Sequence, residues 1–294
     1  MFNKPKKSLG QNFLKSEKIA QEIVEAGEVY LEDIVLEVGP GKGILTAELL
    51  KKAKKVIAVE KDEQLAEFLK EKFAEEIKNG KLEIASEDIL KFNPNSYKLQ
   101  PNSYKLIANI PYYITSHLLR IFLESDCQPT LMVLMVQKEV AERIVDTKSK
   151  ARQNFSRFTL LRSGVGSDAS QNFALPCSSK ESLLSISVKA YGDPEIIKKV
   201  PASYFSPAPK VDSAVIKISN ISKIFFQDIS EKKFFEIVKK GFSQKRKMLI
   251  NNLKTGNPST SDVEGVVKAC NIAEKARAEN VSLDQWKCLT LEII

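Results

Sequence analysis

Asn109-Ile110-Pro111-Tyr112 places an amide, a stiff turn and an aromatic ring within four residues. The chemistry it suits is attack by an adenine amine on an electrophilic methyl group. Such an amine is a poor nucleophile because its lone pair is delocalised into the ring. Two acceptors, the Asn109 side-chain carbonyl and the Ile110 backbone carbonyl, can bind the two amine hydrogens. That favours a pyramidal nitrogen as positive charge develops, a stabilisation aimed at the transition state. Pro111 stiffens the turn, and Tyr112 offers a face on which an extruded base can stack. Phe205, in Phe205-Ser206-Pro207-Ala208-Pro209, is the candidate for the opposite face of the base; the plainer reading is a core aromatic beside a rigid turn. No general base is required. The single histidine, His117, has no neighbour in sequence that would orient a catalytic imidazole, and a structural role is expected for it.

A cofactor site is expected at Leu36-Glu37-Val38-Gly39-Pro40-Gly41-Lys42-Gly43. An apolar run ending in three glycines within five residues reads as a strand that stops, turns tightly and feeds a helix. Side chains at Gly39 and Gly41 would keep the backbone from a ligand, and the amides opening the helix point into the turn. Glu60 ends the next strand, where a carboxylate can accept both hydroxyls of a ribose, or simply face solvent. Asp88 can accept a hydrogen bond from the exocyclic amine of an adenine ring, or cap the turn at Ile89-Leu90.

The elements that carry these residues follow from periodicity. Strands are expected at Ile34 to Val38, Val56 to Val59, Leu82 to Ala85, Leu106 to Ala108 and Thr130 to Val136. Helices are expected from Ser16 to Gly27, Gly43 to Ala53, Asp62 to Lys78 and Ser116 to Glu124. Strands alternating with helices argue for a parallel, doubly wound sheet, whose ligands bind beyond the carboxyl ends of the strands. Gly39 to Gly43, Glu60, Asp88 and Asn109 all fall at such ends. Pro94-Asn95-Ser96-Tyr97-Lys98-Leu99 recurs as Pro101-Asn102-Ser103-Tyr104-Lys105-Leu106, a local duplication that lengthens one loop. From Asp146 to Ser179 the pattern fails, and a mobile insertion is expected; its Lys148, Lys150, Arg152, Arg157 and Arg162 read first as an ordinary solvated charge run, and an RNA-touching loop is the less favoured reading. Leu183 to Val188 alternates like a strand, Ala214 to Ile218 reads as another, and a helical tail starts near Glu231.

Net charge is +8 over 294 residues, a balance that favours polyanionic partners. The charge is dense in the tail, where Lys245-Arg246-Lys247 follows an apolar helix face; basic side chains there suit RNA phosphates, or face solvent. The longest apolar run, Leu131 to Val136, is too short to cross a bilayer, and no apolar signal core follows the basic start. The four cysteines are scattered, so reduced thiols in a cytoplasmic protein are expected and no metal site is.

Ser8 to Leu14, Leu36 to Thr46, Glu87 to Leu90, Asn109 to Tyr112, Phe205 to Ser213 and Gly241 to Lys254 together resemble the small-subunit ribosomal RNA adenine dimethyltransferases, the KsgA-type enzymes. The resemblance covers nearly the whole chain except about Asp146 to Ser179. It implies a Rossmann-like class I methyltransferase domain over residues 1–219, with 146–179 as the insertion. A small all-helical RNA-contacting domain would occupy 220–294. It implies an S-adenosylmethionine cofactor and dimethylation of two adjacent adenines near the 3′ end of small-subunit rRNA, in the bare RNA or in an immature subunit; a monomer is expected. By motif, Asn12 and Leu14 would line the cofactor, Gly39 would meet its methionine part, Glu60 its ribose and Asp88 its adenine. Asn109 would sit between cofactor and target, with Tyr112 and Phe205 on either side of the target base. Competing readings are a large-subunit rRNA methyltransferase of the macrolide-resistance type and a non-catalytic assembly factor. A NAD-dependent dehydrogenase is disfavoured, since the loop lacks the third glycine at the required spacing.

Overall fold

The computed structural model describes residues 6, 9–145, 180–255 and 262–293. The chain forms two compact units, residues 1–141 with 191–222 and residues 142–190 with 223–294. The insertion at 146–179 lies outside the described residues.

The first unit is built on a sheet whose strands are β2 (Ile34–Val38), β3 (Lys55–Glu60), β4 (Leu82–Ser86), β5 (Tyr104–Asn109), β6 (Leu131–Gln137), β7 (Asp193–Val200) and β9 (Ser213–Ser219). Their order is β4-β3-β2-β5-β6-β9-β7. β1 (Phe13–Leu14) and β8 (Phe205–Ser206) form a separate antiparallel pair. The five strands β2 to β6 run parallel. Their near-continuous apolar sequences, such as Leu-Met-Val-Leu-Met-Val in β6, suit strands buried on both faces. Val38 pairs with Val59 on one side and Ala108 on the other, so β2, β3 and β5 end side by side. Because β3 and β5 flank β2 on opposite sides, the strand order reverses there, and a crevice opens at the carboxyl ends.

Four sequence expectations need correction. The sheet is mixed: β9 is antiparallel to β6, and β7 to β9. β7 escaped the pattern because it is a lysine-bearing edge strand with a register shift between Ile196 and Lys198. The expected helix from Asp62 to Lys78 is two helices, Glu63–Lys72 and Ala74–Lys78, broken at Phe73 (φ −115°, ψ 34°). The break lets the Phe73 ring pack behind the glycine loop, where a Cβ on Gly43 would lie 2.6 Å from it. Leu183 to Val188 is not a strand but helix Leu183–Lys189, started by a reciprocal capping box between Ser182 and Ser185. Its alternating apolar pattern was too short to outweigh that cap.

The second unit is helical among its described residues. Phe226 and Phe234 pack edge to face at 5.6 Å, and Trp286, fully buried, stacks on Phe242 at 5.7 Å. Cys270, at the end of helix Val263–Ala269, is bonded to Cys288 in helix Leu283–Glu292, with Cα atoms 5.7 Å apart. That corrects the expectation of reduced thiols for this pair: tertiary packing brings together two residues that no sequence motif links. Cys127 is free and buried.

Candidate active site

A cleft of about 1120 Å³, counted out to its open mouth, lies at the carboxyl ends of β2, β3, β4 and β5. Asn12, Leu14, Gly39, Gly41, Glu60, Asp88, Asn109, Ile110, Pro111 and Tyr112 all line it.

Its cofactor end is shaped by the glycine loop and two carboxylates. Gly39 has φ +69° and Gly41 φ +57°, conformations open to glycine at little cost. A Cβ on Gly41 would come within 3.0 Å of the Phe13 ring, and one on Gly39 would lie 3.5 Å from the Asn109 carbonyl oxygen, so the loop touches the tetrad's strand. Glu60 is buried at the end of β3, where its Oε2 accepts the Gly41 N–H (3.1 Å) and its Oε1 the Asp62 N–H (2.9 Å). Burial pushes its carboxyl up from the usual range, and those backbone donors partly offset the rise. Each carboxylate oxygen keeps a lone pair for a ribose hydroxyl. Asp88 is both a cap and a lining residue of the cleft: it caps the turn Ile89–Lys91 by accepting the Leu90 N–H (3.1 Å). Burial pushes its carboxyl up, but the Lys61 ammonium at 2.8 Å and the Leu90 N–H outweigh that and hold it below the usual range.

A segment from Leu9 to Leu14 forms one wall. Asp62, the buried cap of helix Glu63–Lys72, accepts the Lys6 ammonium (2.8 Å) and the Gln11 amide (2.9 Å) and fastens this segment to β3's end. The Asn12 amide donates to Gly10 O at 3.3 Å.

The acceptor end follows β5. Asn109 is its last residue, partly exposed, and among the described residues no hydrogen bond holds its side-chain amide. Pro111 leads into the 3-10 turn Tyr112–Ile114. The Tyr112 hydroxyl lies 2.7 Å from the Ser213 hydroxyl at the start of β9.

Phe205 does not join the cleft. It pairs with Leu14 across the β1–β8 ribbon and is 2% exposed in the hydrophobic core, while its neighbour Ser206 faces outward. Strand alternation sends one of the two inward, and the larger apolar side chain takes that place. This placement matches the plainer reading, a core aromatic beside a rigid turn. His117 is exposed on helix Thr115–Glu124 and outside the cleft. In the second unit, Lys245, Arg246 and Lys247 are exposed in the turn between helices Glu231–Gly241 and Leu249–Lys254. Buried Asn252 anchors that turn, donating to Gly241 O (2.6 Å) and Gln244 O (3.1 Å).

Sequence reasoning missed Lys61, Ser213 and Glu37. Glu37, in the middle of apolar β2, is fully buried, and its carboxyl has no well-formed hydrogen bond among the described residues. Burial pushes its acid up to about 8; the neighbouring Thr46 hydroxyl draws it back, and the charge of Glu60 adds to the rise. An acid inside a strand buried on both faces was the available signal.

The cleft fits S-adenosylmethionine. Open glycine backbone at Gly39 suits its amino-acid part, the Glu60 carboxylate its ribose, and Asp88 beside apolar Ile89 and Leu90 the edge and face of its adenine. A sheet that binds such a cofactor at the reversal of its strand order, with this site, defines a Rossmann-like S-adenosylmethionine-dependent methyltransferase. Solved structures share the fold. A dimethyladenosine transferase from Plasmodium falciparum is 27% identical, with a TM-score of 0.72 over 95% of this chain and 96% of that one. The 23S rRNA methyltransferase ErmE, at 24% identity and a TM-score of 0.70, covers 96% of this chain and 99% of its own, a likeness of fold. The family model for ribosomal RNA adenine dimethylase matches residues 2–163 and 167–294, and the chain belongs to that family. A curated relative, ribosomal RNA small subunit methyltransferase A of Dehalococcoides mccartyi, is 38% identical over 287 residues, spanning 97% of this chain and 87% of the relative. The chain is thus an S-adenosylmethionine-dependent rRNA adenine dimethyltransferase.

Proposed function

We propose that this enzyme dimethylates the N6 amines of two adjacent adenines near the 3′ end of small-subunit rRNA, acting as a monomer in the cytoplasm on the assembling subunit. The observation that carries this reading is the single cleft in which the glycine loop, Glu60 and Asp88 meet Asn109 to Tyr112. The curated relative's name supports the small subunit as the target. Among the described residues no helix is long and apolar enough to cross a membrane.

When bound, S-adenosylmethionine supplies an electrophilic methyl group on a sulfonium centre. The chain's part is to hold and shape the acceptor. Tyr112 stacks on the extruded base, and the Asn109 side-chain carbonyl and Ile110 backbone carbonyl accept the two N6 hydrogens. Those acceptors stabilise the positive charge that grows on the amine, which a neutral planar amine does not need. Asn109 is suited to this because no internal hydrogen bond among the described residues occupies its amide. The first unit carries the reaction; the second offers Lys245, Arg246 and Lys247 to RNA phosphates, contacts that position without reading sequence.

The test is incubation with labelled cofactor and either small-subunit or large-subunit RNA, bare or as particles, followed by nucleoside mass analysis. Dimethyladenine in small-subunit RNA is expected. Label only in large-subunit RNA, or in neither, overturns the proposal.

A further inference from the structure

We infer that Ser213 is a positioning residue for the target base, acting through Tyr112; the inference rests on the proposed stacking role of Tyr112. Ser213 is fully buried where β9 begins, opposite Gln137 of β6 and Val200 of β7, and it does not line the cleft. Its hydroxyl meets the Tyr112 hydroxyl at 2.7 Å across 101 residues of chain.

A tyrosine ring has two rotatable torsions. The 3-10 turn after Pro111 holds Tyr112 at its root, and Ser213 holds it at its tip, so both torsions are constrained in a residue that lines the cleft. Ser213 is itself held by ladder partners on both sides, which makes the antiparallel edge of the sheet a rigid support for the acceptor end. That gives β9 and β7 a task in the reaction: they are absent from the cofactor end, yet they reach the base site through one hydroxyl. Stacking on an unfixed ring would cost ordering when the RNA binds, so the loss should fall on the RNA side of the reaction and spare the cofactor.

The experiment uses Ser213→Ala, Tyr112→Phe, the double variant and Tyr112→Ala in the full chain. It reads kcat/KM for small-subunit RNA and cofactor Kd on the same preparations. Ser213→Ala and Tyr112→Phe should each lower kcat/KM about three- to tenfold, the order one hydrogen bond supplies, with cofactor Kd unchanged. The double variant should be no worse than the poorer single one, because both changes remove the same bond. Tyr112→Phe keeps Ser213 in place, so the test survives a Ser213 variant that fails to fold. Losses that multiply in the double variant, or silent Ser213→Ala and Tyr112→Phe beside a dead Tyr112→Ala, overturn the role of Ser213 and leave base stacking standing. Full turnover by Tyr112→Ala overturns the stacking role itself, and the inference with it.

Discussion

The two ends of the cleft are prepared in different ways. At the cofactor end every charged group already has partners: Glu60 accepts two backbone N–H groups, and Asp88 is shared between a cap and Lys61. At the acceptor end Asn109 is left uncommitted among the described residues, and Tyr112 is held only at its tip and root. A cofactor has one shape to be met, so a rigid, satisfied site can be built for it in advance. A developing charge exists only in the transition state, and the groups that meet it gain most by having no competing partner beforehand.

That contrast can be broken in several places. The largest effect concerns stability and tests whether Phe205 belongs to the acceptor end. Phe205→Ala should cost about 3–5 kcal/mol, seen as a lowered Tm, because it empties a core site. Below the Tm of the variant, its folded fraction should still turn over; a catalytic collapse there would restore Phe205 as a base clamp. Asn109→Ala should slow turnover about 10²- to 10³-fold by removing an acceptor aimed at the transition state. Glu60→Ala should weaken cofactor binding roughly ten- to hundredfold, since it deletes a charged acceptor and strands the Gly41 and Asp62 N–H groups. Titration calorimetry with the cofactor would read that loss, and an unchanged Kd would contradict the role given to Glu60.

An effect of another kind, read in the pH dependence of stability, comes from Glu37, behind the cofactor end. Its acid is pushed up to about 8 in the folded chain, against 4.5 as the ordinary value. Between those values the folded state holds a proton that the unfolded state releases, so stability is fullest below about pH 4.5 and falls as pH rises through about 8. Glu37→Gln, which cannot ionise, should flatten that fall. Melting curves from pH 5 to 9 that run parallel for the two proteins would exclude a buried neutral Glu37.

Much of this site was legible from the chain. β2 was bounded by its apolar run to the residue, and the glycines, Glu60, Asp88 and Asn109 declared themselves by standing at strand ends. What local sequence does not carry is which distant residues meet. Ser213 reaches Tyr112, and Cys270 reaches Cys288, only because strands and helices pack. The duplicated hexapeptide makes the same point within one loop. Pro94–Tyr97 forms a 3-10 turn with Lys98 at φ +57°, whereas Tyr104, the same position in the second copy, opens β5. Pairing with β2 and β6 decides the second copy's conformation; local propensity is identical in the two. Phe205 shows a related limit, since a motif fixes a residue's neighbours in sequence and not the side of a ribbon it faces.

The most direct test measures cofactor Kd and single-turnover methylation together, for Asn109→Ala and Glu60→Ala on the same preparations. Two separately prepared ends predict a crossing pattern: Asn109→Ala binds cofactor like the native chain and barely methylates. Glu60→Ala binds cofactor weakly and recovers much of its rate when cofactor is saturating. If Asn109→Ala loses cofactor binding in proportion to turnover, the two ends are one site, and the division of labour drawn here is wrong.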